Sequence, residues 1–221
     1  MPEELTAEER ILQAALRRFA VDDLSASLRR VASDAGVSAG LIIHHYGSRE
    51  KLLAACDSRV LEITRREKSG LMQGGAPEML LQLAHAEKYA PAVGYLLRRL
   101  QAGGTIATQL VDDFVTDAAE YLEQGVEAGL LTPSRDPQAR ARVVTEMALG
   151  ALLLQLPGER DELDLAELPI WIRDYVERIM GPVLELYTTP LLADSSLLDA
   201  YLAHRPDDPD PCTDPVKETR T

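Results

Sequence analysis

The sequence has 221 residues and is poor in cysteine and in long apolar runs. Its two cysteines, Cys56 and Cys212, are far apart and form no CxxC pair, which argues against a disulfide framework. The most apolar stretch, residues 147–156, is too short to span a membrane. The opening MPEELTAEER has neither the basic segment nor the apolar segment of a signal peptide. We therefore expect a cytoplasmic protein without membrane association.

Catalytic and metal-binding patterns are also missing. The sequence contains no G-x-S-x-G, no G-x-x-x-x-G-K-[ST] and no H-E-x-x-H motif. His44 and His45 are adjacent, and neighbouring residues on a helix point about 100° apart, so the pair is poorly placed to chelate one ion. We predict no catalytic residue, no metal and no cofactor.

Positive charge is scarce overall but unevenly distributed. The net charge is −13, which taken alone argues against nucleic-acid binding. Residues 1–69 nevertheless contain 11 basic and 11 acidic residues, so the whole excess of negative charge lies in residues 70–221. A neutral N-terminal region can still present a basic face to phosphates.

Helical periodicity dominates, and the sequence predicts an all-α protein. Thr6, Ser27, Ser38 and Ser48 are candidate N-caps of four successive helices, and residues 70–77 form a glycine-rich break. Further helices are predicted at about 77–88, 91–102, 104–128, 137–156 and 167–187. The predicted domains are residues 1–69, residues 70–204 and a disordered tail at 205–221.

Two short helices joined at Gly36 predict a helix-turn-helix over residues 27–46. Its second helix is short enough to enter the major groove of double-stranded DNA, with its N-terminal N–H groups directed at phosphates. Ile42 and Tyr46 are expected to face the core. The candidate DNA-contacting residues are Ser27, Arg29, Ser38, Ala39, Gly40, Leu41, Ile43, His44, His45 and Arg49.

This region resembles the N-terminal domain of the TetR family of bacterial transcriptional repressors. The resemblance covers about residues 6–56 and is carried by Ala35-Gly36-Val37-Ser38, Gly40, His45-Tyr46 and Gly47-Ser48-Arg49-Glu50. It implies a three-helix DNA-binding head, a larger helical ligand-binding and dimerisation domain, and release of an operator by a small-molecule effector.

The sequence departs from the family pattern in three places. Asp22 and Asp23 stand where the family usually has a glycine after the first helix, and Arg49 stands where lysine is favoured. Leu41 and Ile43 replace a threonine and a tyrosine in the recognition helix, so we expect Leu41 or Ile43 to contact thymine methyl groups instead.

Two C-terminal helices are apolar enough to form a homodimer interface, which the resemblance also implies. The predicted interface residues are Val143, Met147, Gly150, Ala151, Leu154, Ile172, Val176, Ile179 and Val183.

The resemblance further implies a cavity among the middle helices for an unknown effector. Its candidate lining residues combine apolar bulk with hydrogen-bonding tips: Tyr89, Tyr95, Thr105, Thr108, Gln109, Met147, Trp171 and Tyr175. The acidic balance of the C-terminal region mildly disfavours an anionic effector.

Two other readings remain open at this level. One is an all-helical ligand-binding or enzymatic protein with a vestigial N-terminal bundle. The other is a protein–protein adaptor that uses its acidic helices.

Overall fold

The computed structural model describes residues 5–154, 167–189 and 191–204, and the regular structure within them is helical. The α-helices are α1 (Ala7–Asp22), α2 (Leu28–Ala35), α3 (Ala39–Tyr46), α4 (Arg49–Ala84), α5 (Ala90–Ala102), α6 (Gly104–Glu127), α7 (Pro137–Leu154), α8 (Leu168–Thr188) and α9 (Ser196–His204). A short 3₁₀ helix, Ala86–Tyr89, precedes α5. The all-α prediction is confirmed, whereas α9 was not predicted. The tail at 205–221 lies outside the described residues.

The predicted helix starts in the head are confirmed. The side-chain oxygens of Thr6, Ser27, Ser38 and Ser48 each accept a hydrogen bond from the backbone N–H three residues later, at 3.2–3.3 Å. These bonds satisfy N–H groups that have no partner within the helix. The sequence therefore fixes where α1 to α4 begin.

The turns that end α1 and α2 require unusual backbone conformations. Gly36 has φ +65° and ψ +37°, the left-handed conformation that glycine adopts without strain. Asp23 has φ +107°, although it carries a Cβ. Its carboxylate accepts a hydrogen bond from the Ser25 N–H, and bonding to Ser25 lowers the pKa of Asp23. This local bond supports a conformation that the family usually reserves for glycine.

The head has a closed apolar core. Ile11 and Phe19 of α1, Val31 of α2, Ile42 of α3 and Leu52 of α4 are completely buried. Each of the four helices thus contributes a large side chain, and burying one such side chain stabilises a fold by about 1.5–3 kcal/mol.

The glycine-rich break is a kink within α4. Gly75 has φ +60° and ψ −141°, and Pro77 follows in the first turn of the next helical segment, where proline is tolerated. The chain reverses there, so the Gln82 side-chain amide donates to the Glu67 carbonyl oxygen at 2.7 Å. The first segment runs past Lys68, the predicted end, because Gly75 is the first residue with non-helical dihedral angles.

Helix α5 is tied to α4 by a buried polar cluster. The Tyr95 hydroxyl donates to the Asp57 carboxylate at 2.7 Å and lies 3.0 Å from the Leu53 carbonyl oxygen. The Arg99 Nε also donates to Asp57, at 2.8 Å. Tyr95 is fully buried and Arg99 is 8% exposed. The Asp57 carboxylate therefore replaces the hydrogen bonds to water that these two side chains lose on folding.

A second polar contact joins α5 to the end of α1. Arg98 is buried, and its Nε donates to the Ala20 carbonyl oxygen at 3.1 Å, while Nη2 donates to the Val21 carbonyl oxygen at 3.3 Å. These carbonyl groups belong to the last turn of α1, where backbone carbonyl oxygens have no N–H partner within the helix. A cation at this end of a helix is also favoured by the helix dipole.

By their internal contacts the residues form two compact units, Met1–Glu177 and Arg178–Thr221. The boundary falls within α8. In the first unit α6 and α7 pack through Val115, Ala118, Leu122 and Ala141. Helix α4 passes through the predicted domain boundary at 69/70 without interruption. The boundary itself stays a prediction.

Asp57→Ala should lower the free energy of unfolding by about 3–5 kcal/mol, because it leaves the buried Arg99 guanidinium without its counter-ion and the Tyr95 hydroxyl with only the Leu53 carbonyl oxygen. Asp112→Ala is the matched control, since its ion pair with Arg142 is about half exposed and solvent screening leaves it little effect on stability. Urea unfolding at one fixed protein concentration measures both. Equal losses in the two variants would contradict a structural role for the Asp57 cluster.

Candidate nucleic-acid interface

The outer side of α3 faces solvent. Ser38, Gly40, Ile43, His44 and His45 are exposed, and only Ile42 of this helix is buried. The predicted inward residue is therefore confirmed, and the described residues leave the outer side of α3 uncovered. Leu41 and Ala39 are half-buried at the edge of this surface.

Tyr46 holds the end of α3 against α1. Its hydroxyl donates to the Glu8 carbonyl oxygen at 3.1 Å, and burial raises its pKa to about 12. The tyrosine therefore stays neutral and bonded at physiological pH. This contact fixes the orientation of α3 relative to the head core.

Two neighbouring arginines of α2 differ in their partners. Arg30 is paired with Asp22 at 2.6 Å. Arg29 is exposed and makes no hydrogen bond or ion pair with the residues that the structure describes. Arg29 is therefore the better placed of the two for a phosphate, a difference that depends on the position of Asp22 after folding.

Arg49 has a role that sequence reasoning missed. Its Nη1 donates to the Leu24 carbonyl oxygen at 2.8 Å, and its Nη2 bonds the Ala26 carbonyl oxygen. The guanidinium also lies 6.0 Å from the centre of the Phe19 ring. Arg49 thus fastens the loop between α1 and α2 to α4, and its predicted phosphate contact would have to use the remaining N–H groups.

Six of the predicted effector-binding residues lie on the 3₁₀ helix, α6 and α8. Trp171 and Tyr175 stack on one face of α8, with ring centres 5.6 Å apart. Tyr89 is half-buried in the 3₁₀ helix whose Ala86 packs with α8. Thr105, Thr108 and Gln109 are exposed on α6. The lining role of these six residues stays a prediction.

Two of the predicted lining residues are placed elsewhere. Tyr95 was a wrong choice, because its ring is sealed in the head-side core and its hydroxyl bonds Asp57 and Leu53. Met147 was assigned both to the cavity and to the dimer interface, and the structure exposes 51% of it on α7. Its exposure favours the interface.

The predicted interface residues on α7 form an exposed apolar stripe. Val143, Met147 and Leu154 are 54%, 51% and 84% exposed, while Gly150 and Ala151 are half-buried among them.

Ile172 was wrong as an interface residue. It is 6% exposed and packs with Ala86, Ala90 and Leu168, and Val176 packs against the same cluster. In the second unit, Ile179 and Val183 are half-buried. Helical periodicity identified the apolar face of α8 but could not tell which part of it the chain itself covers.

A cleft of about 290 Å³ between α1, α4 and the start of α5 was not predicted. Leu12, Leu16 and Ala92 line its apolar side. The Glu9–Arg59 ion pair, at 2.6 Å, lies on its polar side. None of the predicted effector-binding residues line this cleft.

Comparison with known proteins gives the same assignment as the head geometry. Residues 11–56 match the family described as bacterial regulatory proteins, tetR family, and residues 87–193 match the tetracyclin repressor-like C-terminal domain. The transcriptional regulatory protein RaaS of Mycobacterium tuberculosis is 42% identical over 201 residues, covering 90% of this chain and 93% of RaaS. The chain belongs to the TetR family of bacterial transcriptional regulators.

More distant relatives extend the comparison. A helix-turn-helix transcriptional repressor of Mycobacterium tuberculosis is 29% identical over 181 residues, covering 78% of this chain and 88% of that repressor. The solved structure of the fatty acid degradation regulator FadR from Bacillus halodurans is 17% identical, covers 84% of this chain and all of FadR, and has a TM-score of 0.56. The structural likeness shows a shared fold.

The described helices include none that is both long and apolar enough to cross a membrane.

Ile43→Ala should change the base preference of the regulator without unfolding the head, because Ile43 is exposed in the centre of α3. Losing a methyl contact to thymine should relax selection at one position of each half-site. Sequencing of duplexes selected from a random pool measures this preference. Ile106→Ala, an exposed isoleucine on α6, is the control. An unchanged preference in the Ile43 variant would refute the methyl contact.

Proposed function

We propose that this TetR-family transcriptional regulator is a dimeric, ligand-responsive repressor of a near-palindromic operator. Each α3 enters a major groove, and the two heads read half-sites about 34–36 Å apart, one helical turn of DNA. The exposed outer side of α3, held on a closed four-helix core, is the observation that supports this proposal most directly.

Phosphate contacts should supply most of the affinity. The neutral balance of residues 1–69 removes the long-range repulsion that the net charge of −13 would otherwise impose at the head. The exposed Arg29 and the N-terminus of α3, capped by Ser38, are suited to bind phosphate oxygens.

The exposed stripe on α7 supports dimerisation. Val143, Met147 and Leu154 recur at helical spacing, and half-buried Gly150 and Ala151 leave room for a second helix to approach closely. A contiguous apolar surface of this kind marks an interaction site in a soluble protein. A two-fold axis through α7 would bring the same residues of both copies together.

Release of DNA by an effector requires a connection between body and head. Arg98, Arg99 and Tyr95 of α5 bond residues of α1 and α4, so a shift of α5 would be transmitted to both helices. An effector that binds the non-operator arrangement more tightly would shift the population away from DNA. The size of the shift is limited by the difference in its affinity for the two arrangements.

Arg29→Ala should weaken binding to all duplexes and reduce the salt dependence. Loss of one phosphate contact per head lowers the slope of log K against log salt by about 0.9, or about 1.8 for a dimer. Arg30→Ala removes the same charge from a side chain already paired with Asp22, so its effect should be smaller. Affinities for a selected operator and an unrelated duplex at several salt concentrations test this. Equal effects of the two variants would contradict the assignment.

Met147→Glu should convert the dimer into a monomer, because it places two carboxylates at the centre of the proposed interface. Ile106→Glu adds the same charge at a comparably exposed position on α6 and should leave the dimer intact. Sedimentation equilibrium measures both. A monomeric wild-type protein would refute the dimer, and a dimeric Met147 variant would place the interface elsewhere.

A further inference from the structure

Helices α1 and α5 are in contact at one end and separated at the other. In the second half of α1 the ring of Phe19 lies 6.4 Å from the ring of Tyr95, measured between their centres. Nearer the start of both helices the cleft of about 290 Å³ lies between them, with α4 as its third wall. From α5 the lining residues are Pro91 and Ala92, whose small side chains leave this space open.

The inner surface of the cleft is apolar. Leu12, Leu16 and Ala92 line it and are 5–7% exposed, and Ile63 and Pro91 are half-buried. Apolar surface that water reaches through a cleft favours a ligand that replaces that water. The volume is close to the lower limit of about 300 Å³ for ligand pockets, so a body of one or two rings is the appropriate size.

The charged residues that line the cleft are mostly basic. They are the three cations Arg17, Arg59 and Lys88 and one carboxylate, that of Glu9. Arg59 neutralises Glu9 through two hydrogen bonds, at 2.6 and 3.3 Å. The Lys88 ammonium is exposed and lies 3.9 Å from the Glu67 carboxylate. The cleft therefore carries an excess of positive charge above an apolar surface.

Arg17 is the cation that is available to a ligand. Its side chain is exposed, and the described part of the chain provides it with neither a hydrogen bond nor an ion pair. It follows Glu9 by eight residues, which places it about 12 Å further along α1 at a rise of about 1.5 Å per residue. The carboxylate of Glu9 therefore opposes an anion at Arg17 only weakly. A planar guanidinium is also suited to bind a carboxylate through two parallel hydrogen bonds.

We propose that this cleft is a binding site for a small carboxylate with a one- or two-ring apolar body. The rings lie on Leu12, Leu16 and Ala92, and the carboxylate accepts hydrogen bonds from Arg17. The site is separate from the predicted effector-binding residues and does not depend on the proposed ligand-responsive function. Its ligand contacts α1 of the head together with α4 and α5.

Two compounds that share a ring system test the charge requirement. 2-Naphthoate is an anion at neutral pH, and 2-naphthamide is its uncharged counterpart. Isothermal titration calorimetry of the full-length protein should find naphthoate bound about tenfold more tightly, because the amide cannot accept the charge-assisted hydrogen bonds of Arg17 as a carboxylate does.

Two variants separate the effect of charge from the effect of space. Arg17→Gln should weaken naphthoate about tenfold and leave naphthamide within about twofold, because it removes the charge and leaves the apolar surface intact. Gln13→Trp should weaken both compounds about tenfold or more, because a half-buried lining residue then places an indole in the cleft.

Each variant has a matched control on α4. Lys51→Gln removes one positive charge, and Gln73→Trp adds an indole, at exposed positions that do not line the cleft. Both controls should bind the two compounds as the wild type does.

The outcomes distinguish the site from its charge contact. If naphthoate does not bind the wild-type protein, the site is refuted, whereas the proposals for DNA binding, dimerisation and effector release are unaffected. If naphthoate binds and Gln13→Trp leaves its affinity unchanged, the compound binds elsewhere and the cleft is refuted as its site. If Arg17→Gln weakens both compounds equally, or weakens naphthoate no more than Lys51→Gln does, the carboxylate contact is refuted.

Discussion

The connection between the head and the rest of the first unit depends on three polar side chains that α5 presents within little more than one helical turn. Tyr95 and Arg99 of α5 meet at Asp57 of α4, and Arg98 bonds the last carbonyl groups of α1. Because these groups are buried, removing any acceptor leaves a desolvated donor, which costs far more than a surface ion pair. The cluster therefore makes the relative position of α1, α4 and α5 stiff, and the proposed effector would need a stiff connection to act on DNA at a distance.

The head combines a rigid interior with an open reading surface. Ile42 anchors α3 inward, and the Tyr46 hydroxyl fixes the end of that helix to α1. Arg49 holds the loop between α1 and α2 through backbone carbonyl groups. These contacts leave the side chains of Ile43, His44 and His45 exposed to solvent, so base and phosphate contacts can form without rearranging the core.

Helix α4 connects the head core to the helices that follow it. This helix contributes Leu52 to the head core, Asp57 to the α5 cluster and Arg65 to an ion pair with Asp117 of α6. The chain then reverses at Gly75, where only glycine adopts the observed dihedral angles without strain. One helix thus contacts the head core, α5 and α6.

The sequence by itself determined the helical class, the N-caps at Ser27, Ser38 and Ser48, the turn at Gly36 and the inward position of Ile42, because these follow from local hydrogen bonding and from spacing along one helix. It could not determine which polar residues become partners across helices. Tyr95 was taken for a ligand contact and Ile172 for a dimer contact, and both are internal because α4, α5 and the 3₁₀ helix cover them. The same limit applies to Arg29 and Arg49: whether a cation is free or bonded to carbonyl groups depends on neighbours distant in sequence, and only the tertiary structure brings those neighbours into place.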